Sequence, residues 1–398
     1  MSRITRSLMA ASLATPLLLV TAYTTSTQAA PQDGPAAAAA GHYIVSQLQD
    51  GHVAGDTGGS TADVVLALTA VGGHDAEVDA ATDWLEVQAA TFAVGNGPAA
   101  GKLAVVAAAT GRDARDFGGV DLVAQIESQI QPSGQCGDFG FAFGQALCIL
   151  GLERAGAEVP QTAVDFLVTF QDDAGAFGFD AGGGFTADGD SSGLALAALA
   201  GVVDQDGARA SAVAVRGYLG TAQEDPGYWP GFSPVNTTGV VGPAMMLVGV
   251  DVSGATGWLV GQQLDDGGLP SALDGTSSDL MATTQGAMLL GGESLLSVGA
   301  GGTDYVDLGD DTTPTDPTGP AQPTETTDPD DTSGGGGSGG GPTAGPLPTG
   351  PIVDTDLLAP APGNSPATPA PTALLAVAAG LLVIGGLKLT LARGRRES

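Results

Sequence analysis

Trp258-Leu-Val-Gly-Gln-Gln-Leu-Asp-Asp-Gly-Gly268 is one copy of a unit that the chain writes six times. The unit opens on an aromatic or apolar residue and reaches Gln four or five residues on. It then turns on Gly and Asp and continues as small apolar residues ending in Gly. Tyr43 leads to Gln47, Trp84 to Gln88, Ile126 to Gln131, Phe166 to Gln171, Tyr218 to Gln223 and Trp258 to Gln263. The leads step by 41, 42, 40, 52 and 40 residues. A period of that size marks a repeat architecture.

Each unit reads as a helical hairpin. The stretch from Ala212 to Gln223 spaces its apolar residues for one helix face. Turns such as Gln171-Asp-Asp-Ala-Gly175 follow, where Gly supplies positive φ and Asp bonds local backbone. The second helix opens on hydroxyls, at Ser60-Thr61, Ser191-Ser192, Thr237-Thr238 and Thr283-Thr284, which are expected to cap the free N–H groups of its first turn. It runs small and apolar, as in Gly193-Leu-Ala-Leu-Ala-Ala-Leu-Ala200, and ends on Gly. Apolar character all round implies burial, and small side chains let helix axes approach closely. The expectation is an all-α fold of six hairpins over 41–302, with amphipathic helices outside and small-residue helices inside. Neither end unit reads as a polar cap, so the hairpins are expected to close into a ring.

Trp258-Leu-Val-Gly-Gln-Gln-Leu-Asp-Asp-Gly-Gly268 and Ser60-Thr-Ala-Asp-Val-Val-Leu-Ala-Leu68 resemble the repeats of the prenyltransferase/squalene-cyclase superfamily. The resemblance implies the α/α toroid. It does not choose a function, because that superfamily holds terpenoid cyclases, protein prenyltransferase β-subunits, thioester domains and cobalamin carriers. Through the carriers it makes a corrinoid one candidate ligand. The motifs of the enzymes are missing. No Asp-x-Asp-Asp occurs; Asp204-Gln-Asp206 comes nearest and runs into Gly207. The histidines His42, His52 and His74 lie in the first unit and its exit, away from either cysteine, which argues against a zinc set. Cys136-Gly137-Asp138 lacks the Gln that a thioester needs. Asp188-Gly-Asp190-Ser-Ser192 imitates the start of a calcium loop, but position twelve is Leu199 rather than Glu. A weak calcium site built from several loops stays open.

The ends carry targeting features. Residues 1–29, with Arg3, Arg6, an apolar core and Thr27-Gln-Ala29, read as a signal peptide. Residues 30–40 are expected to be disordered. Residues 303–371 are rich in Thr, Pro, Asp and Gly and read as a disordered stalk. Residues 372–392 read as a single transmembrane helix, and 393–398, with Arg393, Arg395 and Arg396, as a cytoplasmic tail. Ser365-Pro-Ala-Thr-Pro369 departs from a sortase signal in lacking its Leu and Gly, so a membrane anchor is favoured over cell-wall linkage.

Away from the two termini, six basic residues face 43 acidic ones. That balance excludes nucleic acid and anionic lipid surfaces as partners. The two cysteines, Cys136 and Cys148, both fall in the third unit. They bond only if the Gly134–Gly140 loop folds against the inner helix, and the spacing leaves that open.

Aromatics concentrate in three successive turns, at Phe139, Phe141 and Phe143, then Phe177, Phe179 and Phe185, then Tyr228, Trp229 and Phe232. In a hairpin ring these turns share one end. Phe177, Phe179, Tyr228, Trp229 and Phe232 are therefore expected around the cavity mouth, with Trp229 held partly exposed by Pro226, Pro230 and Pro234. Asp63, Lys102, Gln145, Asn236, Asp279 and Gln285 lie near the inner-helix starts and are candidates to point into the cavity. The reading is a monomeric cell-surface protein that binds a small molecule or peptide at an aromatic rim without catalysis. The alternatives are an extracellular cyclase-like enzyme or lyase on the same scaffold, and a structural adhesion module.

Overall fold

The computed structural model describes residues 34–138, 140–180, 182–301 and 305–309. The six lead residues fall on six outer helices: α1 (Gly34–Ser46), α3 (Asp75–Phe92), α5 (Leu122–Gln129), α7 (Gln161–Val168), α9 (Ala208–Ala222) and α11 (Ser253–Gln262). The small-residue runs form six inner helices: α2 (Gly59–Val71), α4 (Gly97–Thr110), α6 (Ala142–Arg154), α8 (Gly189–Gly201), α10 (Pro234–Leu247) and α12 (Leu280–Gly291). Each inner helix packs on the next, and α12 returns to α2. The result is an α/α toroid of twelve helices among the described residues. Two short ribbons decorate it, β1 (Leu48–Gln49) with β2 (His52–Val53) and β3 (Gly178–Asp180) with β4 (Phe185–Ala187), both antiparallel.

Small residues allow the inner helices to touch through backbone. A Cβ on Gly151 of α6 would lie 2.5 Å from the Cα of Gly101 on α4, and one on Gly291 of α12 would lie 2.5 Å from the Ala70 carbonyl of α2. The second contact closes the ring. A side-chain seam reinforces it: Gln263 Nε2 donates to the Gly267 carbonyl at 2.8 Å and to the Ala36 carbonyl of α1 at 2.9 Å. Gln171 does the same in the fourth unit, donating to Gly175 and to Ser211 of α9 at 3.0 Å each. In these two units the repeated Gln ties its own turn to the next outer helix, while Gln131 and Gln223 donate to their own turns, at Gly137 and Gly227. The turn Gly is needed for the same approach. Gly267 has φ +87°, and a Cβ there would lie 2.3 Å from the Ala39 carbonyl of α1.

The hydroxyls at the inner-helix starts act differently from the expectation. The caps are other residues: Asp56 accepts from Ser60 and Thr61, and Asn96, Asp188 and Asp279 accept from the third residue beyond them. Thr61, Ser192, Thr238 and Thr283 instead accept the backbone N–H of Val53, Phe177, Trp229 and Leu269, at 3.2, 3.0, 3.1 and 2.8 Å. Each pins the preceding loop to the top of its helix. A buried loop N–H left unpaired would cost about 1–3 kcal/mol, so the clamp is worth more than a redundant cap.

The toroid reaches past its expected limits at both ends. Helix α1 begins at Gly34 rather than after residue 40, because its Ala run is a strong helix former whose Ala36, Ala37 and Ala40 are buried. Residues 305–309 pack on the outside. Leu308 is buried, Val306 N–H donates to the Leu247 carbonyl at 2.9 Å, and Arg209 donates to the Asp307 carbonyl at 2.7 Å. The expected signal peptide, most of the stalk, the span 372–392 and the tail lie outside the described residues. No described helix is long and apolar enough to cross a membrane.

Cys136 and Cys148 are disulfide-bonded, with Cα atoms 6.6 Å apart. Gln145 makes the loop fold down: it accepts from Cys136 N–H at 2.8 Å and donates to the Gly134 and Ala163 carbonyls at 2.9 Å each. The bridge closes a loop over a separation of 12 residues, which corresponds to about 3 kcal/mol of chain entropy. Reduction, or the paired Cys136→Ala and Cys148→Ala variant, should therefore lower unfolding free energy by that amount in urea titrations. An unchanged urea midpoint would contradict a stabilising role for the bridge.

Candidate ligand cavity

The inner helices surround a central cavity of about 90 Å³. Helical spacing decides which residues face it. On α8 these are Gly193, Leu194 and Ala197; on α10, Gly239, Val240, Pro243 and Ala244; on α12, Met281, Thr284, Gln285 and Met288. Leu66 of α2, Val105 of α4 and Leu147 of α6 complete apolar walls. The segment after α12 adds Ser294 and Leu295 to the lining. Arg154 fixes that segment by donating to the Leu296 and Val298 carbonyls at 2.6 Å each. Glu293 lies beside Arg154 and accepts from Ser297 Oγ at 2.6 Å. Burial pushes the Glu293 carboxyl up, and the Ser297 bond and the Arg154 charge pull it back.

Polar groups interrupt the apolar wall on one side. Lys102 of α4 meets Asp63 of α2 at 2.7 Å and also donates to the Gly59 carbonyl at 3.1 Å. Its ammonium is almost wholly enclosed, and the Asp63 carboxylate and the Gly59 carbonyl give it the partners that burial demands. On α12, the cavity is met by Thr284 and Gln285. The Gln285 Oε1 is buried and accepts no hydrogen bond. An orphaned buried acceptor costs about 1–3 kcal/mol, and a donor brought by a ligand would recover it.

A further carboxyl stands above this lining. Asp190 precedes Gly193, Leu194 and Ala197 by 3, 4 and 7 residues, so it continues the lumen stripe of α8 toward the mouth. Its Oδ1 is buried without a hydrogen-bond partner, although other parts of the residue reach solvent. Burial, then the neighbouring Asp188 charge, push it up to about 7, and the Thr237 hydroxyl opposes them. The two side chains are close, but neither Asp190 Oδ1 nor Thr237 Oγ1 reaches hydrogen-bond geometry. In the sequence Asp190 reads as part of an Asp-rich turn that imitates the start of a calcium loop. Its i, i+3, i+4, i+7 relation to the lumen residues is the signal that could have found it.

The residues expected at the site divide. Asp63, Lys102 and Gln285 line the cavity. Gln145 serves the disulfide loop, Asn236 packs against its cap Ser233, and Asp279 caps α12. The aromatic rim is corrected. Phe177 is fully buried, and Trp229 is 2 % exposed rather than open to the mouth. Trp229 Nε1–H donates to the Leu219 carbonyl at 2.7 Å, so the indole belongs to the core. Tyr228 turns to the outer ring, stacking on Trp258 with ring centres 4.9 Å apart and donating to Glu224. Phe179 is half-buried on β3, and Phe232 is exposed. None of these five lines the cavity; the aromatic that does is Phe143. The Asp188 carboxylate is occupied by the start of α8, and no group of metal-ligating side chains forms among the described residues. His52 stacks on Trp84, and His42 meets His74 edge-on. Asp204-Gln-Asp206 is a turn between α8 and α9.

No protein-family model and no curated protein matches the sequence. Solved structures share the fold. An apo type II terpene cyclase, MstE from Scytonema, is 15 % identical with a TM-score of 0.51, over 65 % of this chain and 98 % of its own. A protein from Actinoplanes is 17 % identical with a TM-score of 0.50, over 67 % and 99 %. Haptocorrin in complex with Cbi is 12 % identical with a TM-score of 0.49, over 71 % and 72 %. For the first two, at these identities, the likeness is one of fold alone.

Proposed function

We propose that this chain is a membrane-anchored cell-surface protein that binds a small molecule in its central cavity without catalysis. The observation that carries the reading is the unpartnered Gln285 acceptor inside a mostly apolar lumen. The ligand that fits is compact and mostly apolar, with one N–H or O–H donor for Gln285. At about 90 Å³ the cavity falls below the usual range of roughly 300–1,000 Å³ for ligand pockets. A corrin macrocycle exceeds it, so the corrinoid candidate requires the helices to part or the ligand to rest at the mouth. Anchoring and export rest on residues 1–29 and 372–392 as read from sequence. Extraction tests the reading: protein purified from its own host is denatured and the released small molecules are analysed by mass spectrometry. A stoichiometric compound is expected, and protein that is empty when isolated from its host counts against binding.

Gln285→Leu separates binding from stability. The variant removes the orphaned acceptor at similar volume, so the empty protein should gain about 1–3 kcal/mol in urea unfolding while ligand affinity falls. Loss of stability in the empty variant would show that Gln285 is a structural residue.

The second reading is an enzyme on the same scaffold, and Asp190 is the observation that favours it. A carboxyl held near neutrality beside a lumen suits proton transfer. It predicts a product, rather than an unchanged compound, after incubation with the extracted ligand. The adhesion reading draws nothing from the cavity.

A further inference from the structure

We propose that the mouth of units four to six is a docking surface for a cationic amphipathic segment of another protein. The inference stands apart from the cavity and its ligand. It starts from how the three loops are anchored. Each already buries one large residue, Phe177, Trp229 or Leu269, beneath a hydroxyl clamp. Packing needs no more. Yet each loop also turns a second large apolar residue outward: Phe185 is 44 % exposed, Phe232 56 % and Leu273 44 %. The loops adjoin one another. Thr237 sits under Gly189 of the fourth unit and Gly231 of the fifth, and the Ser233 hydroxyl donates to the Ser271 carbonyl of the sixth.

Charge selects the partner. The segments 171–191, 223–236 and 263–281 contain eleven Asp and Glu and no Lys, Arg or His. Leaving out Asp190, whose Oδ1 is buried, ten acidic residues set the sign of this surface. A second copy of this chain would bring the same acidic face, and an anionic membrane would be repelled. A basic segment with an apolar stripe satisfies both features: its charges steer the encounter, and Phe185, Phe232 and Leu273 supply contact area.

The test uses the full chain and three labelled peptides of equal length, read by fluorescence anisotropy. One is a helical Lys/Leu amphipath, one is the same composition scrambled to remove the stripe, and one replaces Lys with Glu. The amphipath should bind roughly tenfold more tightly than either control, and more weakly as salt rises. The double variant Phe232→Ser, Leu273→Ser should reduce that binding roughly tenfold. Val87→Ser, which removes an exposed residue on α3, should leave it unchanged. Equal binding of the scrambled peptide, or a double variant that binds like the parent, would overturn the proposal by showing attraction through charge alone. Self-association in sedimentation that the double variant abolishes would overturn it by assigning the patch to a second copy.

Discussion

Trp229→Ala should cost about 3–5 kcal/mol of stability, the range for truncating a buried aromatic. The indole is 2 % exposed. The residue also makes two hydrogen bonds, one through its backbone and one through its ring. Its backbone N–H reaches Thr238 Oγ1 at 3.1 Å, and its Nε1–H reaches the Leu219 carbonyl at 2.7 Å. Leu219 lies in the last turn of α9, where carbonyls have no partner within the helix. The indole therefore finishes α9 while filling the space beneath the loop. Trp229→Phe isolates the ring donor: it keeps most of the ring area and loses the N–H, so a smaller cost of about 1–2 kcal/mol is expected. Urea unfolding followed by far-ultraviolet circular dichroism reads both. A Trp229→Ala protein as stable as the parent but defective in ligand binding would restore the rim as the site.

Asp190→Asn should stabilise the protein at alkaline pH and leave it unchanged in acid. The folded carboxyl titrates near 7 because burial and Asp188 oppose its charge, whereas an unfolded Asp titrates near 4. Below about pH 4 both states hold the proton and no difference arises. Between about pH 4 and 7 the unfolded chain has released it and the folded chain has not, so each pH unit favours unfolding by about 1.4 kcal/mol. Above about 7 the loss is complete and constant. The amide introduced by the substitution carries no charge and could pair with the Thr237 hydroxyl, so a gain of about 2–4 kcal/mol is expected at pH 8 and almost none at pH 4. Parallel stability curves for parent and variant across that range would show that the carboxyl is not held neutral.

The ring was readable because each unit repeats the parts that make it. Tyr43, Trp84, Ile126, Phe166, Tyr218 and Trp258 all fall on outer helices, and each Gly-ended run is an inner one. The repeated Gln was visible, but its second bond was not, since Ser211 lies 40 residues from Gln171 and Ala36 lies 227 from Gln263. The hydroxyl pairs looked like caps because local capping is their commonest use. Their partners are loop N–H groups 8 to 15 residues back, which no local pattern names. Trp229 misled for a related reason. Its flanking prolines suggested a loop held clear of the core, yet it occupies a repeat position. Val53, Cys136, Phe177, Trp229 and Leu269 each stand two residues after a turn glycine, at 51, 134, 175, 227 and 267. Aligning the turns on those glycines would have exposed the anchor column. Asp63 and Gln285 were reachable because a polar residue on an almost wholly apolar inner helix is conspicuous. Whether they face inward depended on helix phase, which is also why Gln145 and Asp279 went elsewhere.

Native mass spectrometry of host-purified parent, Gln285→Leu and Phe232→Ser proteins tests the central claim that the lumen, and not the rim, holds the ligand. The account predicts a bound small molecule on the parent and on Phe232→Ser, and its loss from Gln285→Leu. A ligand kept by Gln285→Leu and lost from Phe232→Ser would contradict it.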